Sequence, residues 1–324
     1  MKKTVLTSIA CLVIIAGCEQ NHHVSVYTAI ADLPFADPVL RQCVLDQASR
    51  DGWQNAGQMT RLVCTNPEGE PVRSLEGMEN LVNLQVLDLA HNEITDAGPA
   101  NWLTKLNQLD LGYNRISEVA FDHQRVTLKS VNLDHNDISD IGSLANMLHL
   151  EHLSVSHNRL SDIAVVASLP SLQTLNVSHN ELVTIEPAAK LAELVELDAG
   201  FNRVADLAPL GSLDSLIALF LDGNRISDLS ALAGLANLLE LGISNNDIVD
   251  VDVLGSIITL QRLDLRNNRI EDIRPLEGLG EVESIDVRGN PINCEGLQHL
   301  VNALGRDVVA RDSCNGRSPP AEKS

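Results

Sequence analysis

Four histidines, His91, His135, His157 and His179, stand at multiples of 22 residues from one another, and each directly precedes an asparagine. The same phase puts Tyr113 and Phe201 in front of asparagines as well. Imidazoles are the commonest protein ligands for transition metals and titrate near neutral pH, so a column of them on adjacent elements could hold a metal ion. No column of carboxylates accompanies them at that position, and the expectation is that they hold none. Catalytic patterns are missing too: the chain has no HExxH, no GxSxG and no glycine-rich phosphate loop followed by lysine. Asp134, Asn136 and Asp140 are loosely spaced like ligands of a calcium loop, but each has a place in a repeat. The chain reads as non-enzymatic and without a cofactor.

The elements that carry these residues follow from the asparagines. Asn92, Asn114, Asn136, Asn158, Asn180, Asn202, Asn224, Asn246, Asn268 and Asn290 share one 22-residue phase without a slip. Aligned on them, each unit reads L-x-x-L-x-L-x-x-N-x-I-x-D-I-x-x-L. Around Asn136 the pattern is filled by Leu128, Val131, Leu133, Ile138, Asp140, Ile141 and Leu144; around Asn224, by Leu216, Leu219, Leu221, Ile226, Asp228, Leu229 and Leu232. Leu-x-Leu alternation makes a short strand with one face inward. A return every 22 residues stacks such strands in parallel, about 4.8 Å apart, into a face roughly 45–50 Å long. Each unit buries its leucines only against its neighbours, so the stack needs sealed ends. The asparagine falls where the strand ends and the backbone turns over the core. A carboxamide there both donates and accepts, so the expected role is to pair buried backbone groups rather than to bind a ligand. Asp96, Asp140, Asp162, Asp206, Asp228, Asp250 and Asp272, with Glu118 in phase and Thr184 as the exception, are expected to cap free N–H groups at the opposite turn.

These motifs resemble the leucine-rich repeats, specifically the 22-residue bacterial subclass typified by internalins. The resemblance covers residues 81–293 as ten repeats, with a degenerate unit before them in which Leu62, Val72 and Leu75 keep phase. It implies an α/β solenoid with a parallel β-sheet on the concave face, short turns or 3-10 segments on the convex face, and disulfide-tied helical caps. It also implies a non-enzymatic scaffold that binds another protein through the concave face.

The ends are legible separately. Residues 1–17 read as a signal peptide: two lysines precede an apolar run too short to span a bilayer as a helix. Ile15-Ala16-Gly17-Cys18 resembles the lipobox of bacterial lipoproteins, which implies cleavage before a lipidated Cys18; an ordinary secretory signal with an incidental cysteine is the alternative. Glu19 resembles the pattern that sorts such proteins to the outer membrane of Gram-negative bacteria. Residues 18–33 would be the lipidated cysteine and its tether, 34–80 an N-terminal cap with the degenerate repeat, 294–314 a C-terminal cap and 315–324 a disordered tail. Four further cysteines, an even number in an exported chain, suggest disulfides. The long middle separation favours Cys43–Cys64 and Cys294–Cys314, each loop worth roughly 3 kcal/mol. Asp37 followed by Pro38 opens a helix that Gly52 stops, and a second helix ends at Gly305.

Function is sought at positions that vary between units, because a fold does not dictate one. Residues after the asparagines alternate in sign almost throughout (Glu93, Arg115, Asp137, Arg159, Glu181, Arg203, Arg225, Asp247, Arg269) and are read as register support. Polar residues dominate the mid-strand column (Asp88, Asp110, Asn132, Ser154, Asn176, Asp198, Asp264, Asp286, with Gly242), and Phe220 is its anomaly, an aromatic of the kind that anchors interfaces. Arg262, Arg266 and Arg288 cluster on the same face, suited to a carboxylate or acidic peptide unless Asp264 and Asp286 neutralise them diagonally. Tyr113, Phe201, Phe220, Arg262, Asp264, Arg266 and Arg288 are therefore the candidate partner-binding residues. Formal charge is −21; without Lys2 and Lys3, 21 basic residues face 44 acidic ones, a balance of −23 that argues against nucleic acid. The expectation is a monomeric, lipid-anchored protein of the cell envelope with an unknown protein ligand. An envelope structural or glycan-binding role is the alternative, with only Tyr113, Phe201 and Phe220 available as aromatic platforms.

Overall fold

The computed structural model describes residues 26–65, 69–121, 127–145, 147–305 and 307–312. The signal segment, Cys18, Cys314 and the C-terminal tail lie outside the described residues. Among the described residues twelve strands form one sheet in chain order, every pair parallel. It runs from β1 (Arg61–Val63) through ten strands at 22-residue spacing, β2 (Val86–Asp88) to β11 (Ser284–Asp286), and closes with β12 (Val309–Ala310). Strands β2 to β11 are three residues long because only the central residue needs to point inward. Leu153, Leu175 and Leu197 hold that place in successive strands, pair in register and are buried.

On the far side the chain returns through 3-10 turns such as Ala164–Ser168, Glu186–Lys190 and Arg274–Gly278. Each turn opens on a side-chain oxygen that accepts the N–H two residues on: Asp162 from Ala164 at 2.7 Å, Asp228 from Ser230 at 2.8 Å, and Thr184 from Glu186 at 3.1 Å. Between sheet and turns lies one continuous aliphatic core. Within a single unit Leu150, Leu153, Val155, Leu160, Ile163 and Val166 are all buried, each large side chain worth about 1.5–3 kcal/mol.

The N-terminal seal is α1 (Pro38–Asp51), ended by Gly52 in the left-handed region at φ 72°. Asp37 Oδ1 accepts from Val39 and Leu40 N–H at 2.8 and 3.1 Å, and Oδ2 from Arg73 and Ser74 N–H at 2.7 and 3.2 Å. One carboxylate thus caps the helix and binds it to the first repeat. Burial pushes its pKa up, but the four N–H donors outweigh that and hold it below the ordinary value. Cys43 of the helix is disulfide-bonded to Cys64 after β1. The C-terminal seal is α2 (Cys294–Leu304), capped by the Asn293 side chain and packed through Leu297, Leu300 and Val301. Cys294 is exposed at its first turn, and the partner expected for it, Cys314, is outside the described residues.

Two features differ from the sequence expectation. Leu62 does not keep phase: it pairs with Leu87, 25 residues on, where later pairs such as Leu87 and Leu109 are 22 apart. Asn92 Nδ2 accordingly reaches back 28 residues to the Cys64 carbonyl, while Asn114 Nδ2 reaches 25 to Leu89. Val72 is in phase, its N–H donating to Asn92 Oδ1 at 2.8 Å as Ile94 N–H does to Asn114 at 3.0 Å. The extra three residues therefore sit between Cys64 and Val72. The second feature is β12, two residues after the helix that cover the open edge of β11. Its segment is too short to show alternation.

Candidate functional site

The asparagines define the edge on which the surface features are built. Asn180 Nδ2 donates to the carbonyls of Val155, Val177 and Ser178 at 3.0, 3.0 and 3.1 Å, and Oδ1 accepts from Leu160 N–H at 2.9 Å. One carboxamide thus serves its own turn and the one before it. The same set recurs from Asn114 to Asn268, and all but the terminal Asn290 are buried.

The residue before each asparagine adopts the left-handed conformation. His91, Tyr113, His135, His157, His179, Phe201, Asn245 and Asn267 have φ between 50° and 59°, and Gly223 and Gly289 occupy the same position. That conformation is strained for most residues, and it sets successive side chains one above another. His91, Tyr113, His135, His157, His179 and Phe201 form a single ring stack, with centroid spacings of 4.2, 4.0, 3.9, 3.9 and 4.2 Å and interplanar angles of 11–17°. Stacked pairs of this kind contribute about 0.5–1.5 kcal/mol each. Burial, then the charge of His157, holds the pKa values of His135 and His179 below the ordinary value.

This geometry decides what the stack can bind. Imidazole lone pairs lie in the ring plane, so parallel rings 3.9 Å apart cannot converge on one ion about 2 Å from each. Among the described residues no group of three or more His, Cys, Asp or Glu surrounds a common metal position. The faces of the two aromatic rings are taken up as well. Tyr113 is covered on both faces by His91 and His135, while Phe201 lies between His179 and Gly223, where an added Cβ would fall 2.7 Å from the ring.

On the concave face the mid-strand carboxylates first serve the backbone. Asp110, Asp198 and Asp264 accept the N–H two residues on at 2.9, 2.9 and 3.0 Å. Burial raises the pKa values of Asp110 and Asp198. This role is readable in hindsight from Asp-Leu-Gly and Asp-Ala-Gly, an acceptor two residues ahead of a glycine. Farther along, Arg266 Nε donates to both Asp264 oxygens at 2.9 Å, with Asp286 Oδ2 3.7 Å away; Arg288 Nε donates to Asp286 at 2.9 Å. Arg262 pairs with Glu240 and touches Glu283 at 3.5 Å. The three arginines are thus not an open anion patch, and the first partner of Arg266 and of Arg288 lies on its own strand rather than diagonally. Beside them a hollow of about 480 Å³ is walled by the half-buried Phe220 and by Asp222, Glu240, Arg262 and Asp264, with Gly242 at its floor.

Parallel three-residue strands returning every 22 residues, each closed by an asparagine that spans two turns, settle the architecture. The protein is a leucine-rich repeat solenoid. Family models described as leucine-rich repeats match residues 126–182, 82–123 (two copies) and 259–279. The chain is similar to an internalin, InlF, of Listeria monocytogenes, with 27% identity and a TM-score of 0.73 over 89% of this chain and 94% of that one. It shares the fold of the functional domain of InlJ from the same organism (21% identity, TM-score 0.60, covering 86% of this chain and 56% of that). It also shares the fold of a Leptospira interrogans leucine-rich repeat protein, LIC12759 (20% identity, TM-score 0.51, 74% and 81%). No curated protein sequence matches the chain.

Within the leucine-rich repeat frame the seven candidate binding residues fall into two groups. Tyr113 and Phe201 belong to the ring stack, where histidines bury their faces. Phe220, Arg262, Asp264 and Arg266 line the hollow, and Arg288 joins them through Asp286. Phe201 and Phe220, neighbours on paper, lie on separate features. The residues after the asparagines form discrete pairs, Glu93–Arg115 at 2.7 Å, Glu181–Arg203 at 3.2 Å and Asp247–Arg269 at 2.6 Å, rather than a continuous ladder. Exposed as they are, each is worth under about 1 kcal/mol. Asp222 and Gly242 are the residues sequence reasoning missed: one looks like an ordinary turn carboxylate, the other like a gap.

Proposed function

We propose that this leucine-rich repeat protein is a non-enzymatic, lipid-anchored scaffold of the cell envelope that binds a protein partner on its concave face. The observation that carries the binding site is the hollow at Phe220 and Gly242, where an aromatic ring breaks an otherwise polar strand column. Aromatic side chains seated in pockets near the centre of an interface are its usual anchors. Export is supported by the disulfide between Cys43 and Cys64, a bond that persists in oxidising compartments. Anchoring is supported by the lipobox-like Ile15-Ala16-Gly17-Cys18. The covered faces of Tyr113 and Phe201 weigh against the glycan-binding alternative.

The binding claim is tested by capture of envelope proteins on immobilised protein, wild type against Phe220→Ala with Arg266→Glu. The double variant should lose the captured partner while its unfolding free energy stays within about 1 kcal/mol of wild type. Retained capture would remove the site assignment. Anchoring is tested by labelled palmitate, which should enter the wild type and not Cys18→Ala.

A further inference from the structure

We infer that the hollow floored by Gly242 is a subsite for one cationic side chain, arginine or lysine, of a protein partner; this rests on the concave-face reading and gives that partner its chemistry. The inference starts from how charges pair. Arg262, Arg266 and Arg288 are already paired with Glu240, Asp264 and Asp286, and Arg262 and Arg266 also reach Glu283 and Asp286. Asp222 is the lining carboxylate left over. Its Oδ1 accepts the Ser244 N–H at 2.8 Å, and among the described residues no hydrogen bond reaches its Oδ2. The hollow therefore carries net negative charge despite its three neighbouring arginines.

The second part is placement. A Cβ built on Gly242 would lie 2.7 Å from Asp222 Oδ2 and 3.0 Å from Phe220 Cδ1. Only a glycine leaves room there, so the ring and the carboxylate oxygen close in side by side over a floor that has no side chain. A cation that reaches Asp222 Oδ2 from the hollow meets an anionic acceptor with an aromatic ring beside it, and stacks on the ring where it lies over the face. An anionic side chain would instead face Asp222, Glu240, Asp264 and Asp286. An apolar one would cover Oδ2 without supplying a donor, which is costly. The volume of about 480 Å³ accommodates a guanidinium or an ammonium with its stem. The surplus of carboxylates over the whole chain steers such a partner to it.

The test titrates the full-length protein with acetyl-arginine methylamide and with its neutral isostere, acetyl-citrulline methylamide, following the backbone amide signals of Gly242 and Ser244. Saturable shifts are expected with the arginine compound, and binding about tenfold weaker with citrulline. Asp222→Asn keeps an acceptor for Ser244 N–H while removing the charge, and should weaken the arginine response about tenfold as well. Phe220→Leu keeps bulk without the ring and should weaken it several-fold, about the contribution of a cation–π contact. Equal response to both compounds, or an arginine response unchanged in Asp222→Asn, overturns the subsite. Capture of a partner that is lost in the Phe220, Arg266 double variant but survives Asp222→Asn also overturns it, and leaves the concave-face reading in place.

Discussion

Asn180 holds four backbone groups with one side chain, two carbonyls and a third in its own turn or the preceding strand and one N–H in the preceding turn. Alanine at this position leaves buried donors and acceptors unpaired, and each unpaired group costs about 1–3 kcal/mol. Asn180→Ala should therefore lower the urea midpoint clearly, and an unchanged transition would contradict the assignment. Asn180→Asp should be nearly as damaging, because an ionised carboxylate can accept from Leu160 but cannot donate to Val155 or Val177. The neighbouring position makes a different demand. Gly223 sits at φ 65° beneath the Phe201 ring, so a side chain there meets both backbone strain and a ring 2.7 Å away.

At the scale of elements, the ring stack and the N-terminal cap carry separable stabilities. His135 and His179 have folded-state pKa values below the ordinary 6.5, from burial and from His157, with Asp134 and Asp198 opposing. As pH falls the unfolded chain takes up those protons first. The stack's contribution is thus complete above about pH 6.5 and declines as pH drops through the folded-state values. Thermal melts between pH 7.5 and 5.5 should show a steeper loss in wild type than in a His135→Phe, His179→Phe variant; parallel profiles would show that the stack does not titrate in this way. For the cap, α1 is held by Asp37 and by the Cys43–Cys64 bond, which closes a loop of 21 residues. Removing both cysteines should cost roughly 3 kcal/mol. Hydrogen exchange should show the loss first in α1 and β1, because each repeat leans only on its neighbours.

The whole molecule behaves as a one-dimensional stack, and that has a length test. Deleting residues 153–174 removes one unit and brings Leu175 into the place of Leu153, as their registered pairing requires. The shortened protein should fold cooperatively with a smaller m-value, since m follows the surface exposed on unfolding. Deleting 153–173 instead shifts every later side chain by one and turns core leucines outward, so it should yield no cooperative transition in circular dichroism. The same periodicity is why so much was legible in the sequence. Strand positions, the asparagine and aspartate roles, both helices and the Cys43–Cys64 pair could be read from spacing, because a repeat states each local rule ten times over. Leu62 was misplaced because the first unit states its rule once, with three residues added. By itself the sequence determined the solenoid and its ruler, for these depend on hydrogen bonds and burial that recur at fixed separation. Only the tertiary structure decided that six rings stack face to face, that the arginines are already paired, and that Asp222 and Phe220 meet over Gly242. Those depend on side-chain direction and on contacts between repeats, which the left-handed turn and the identity of each neighbour set together.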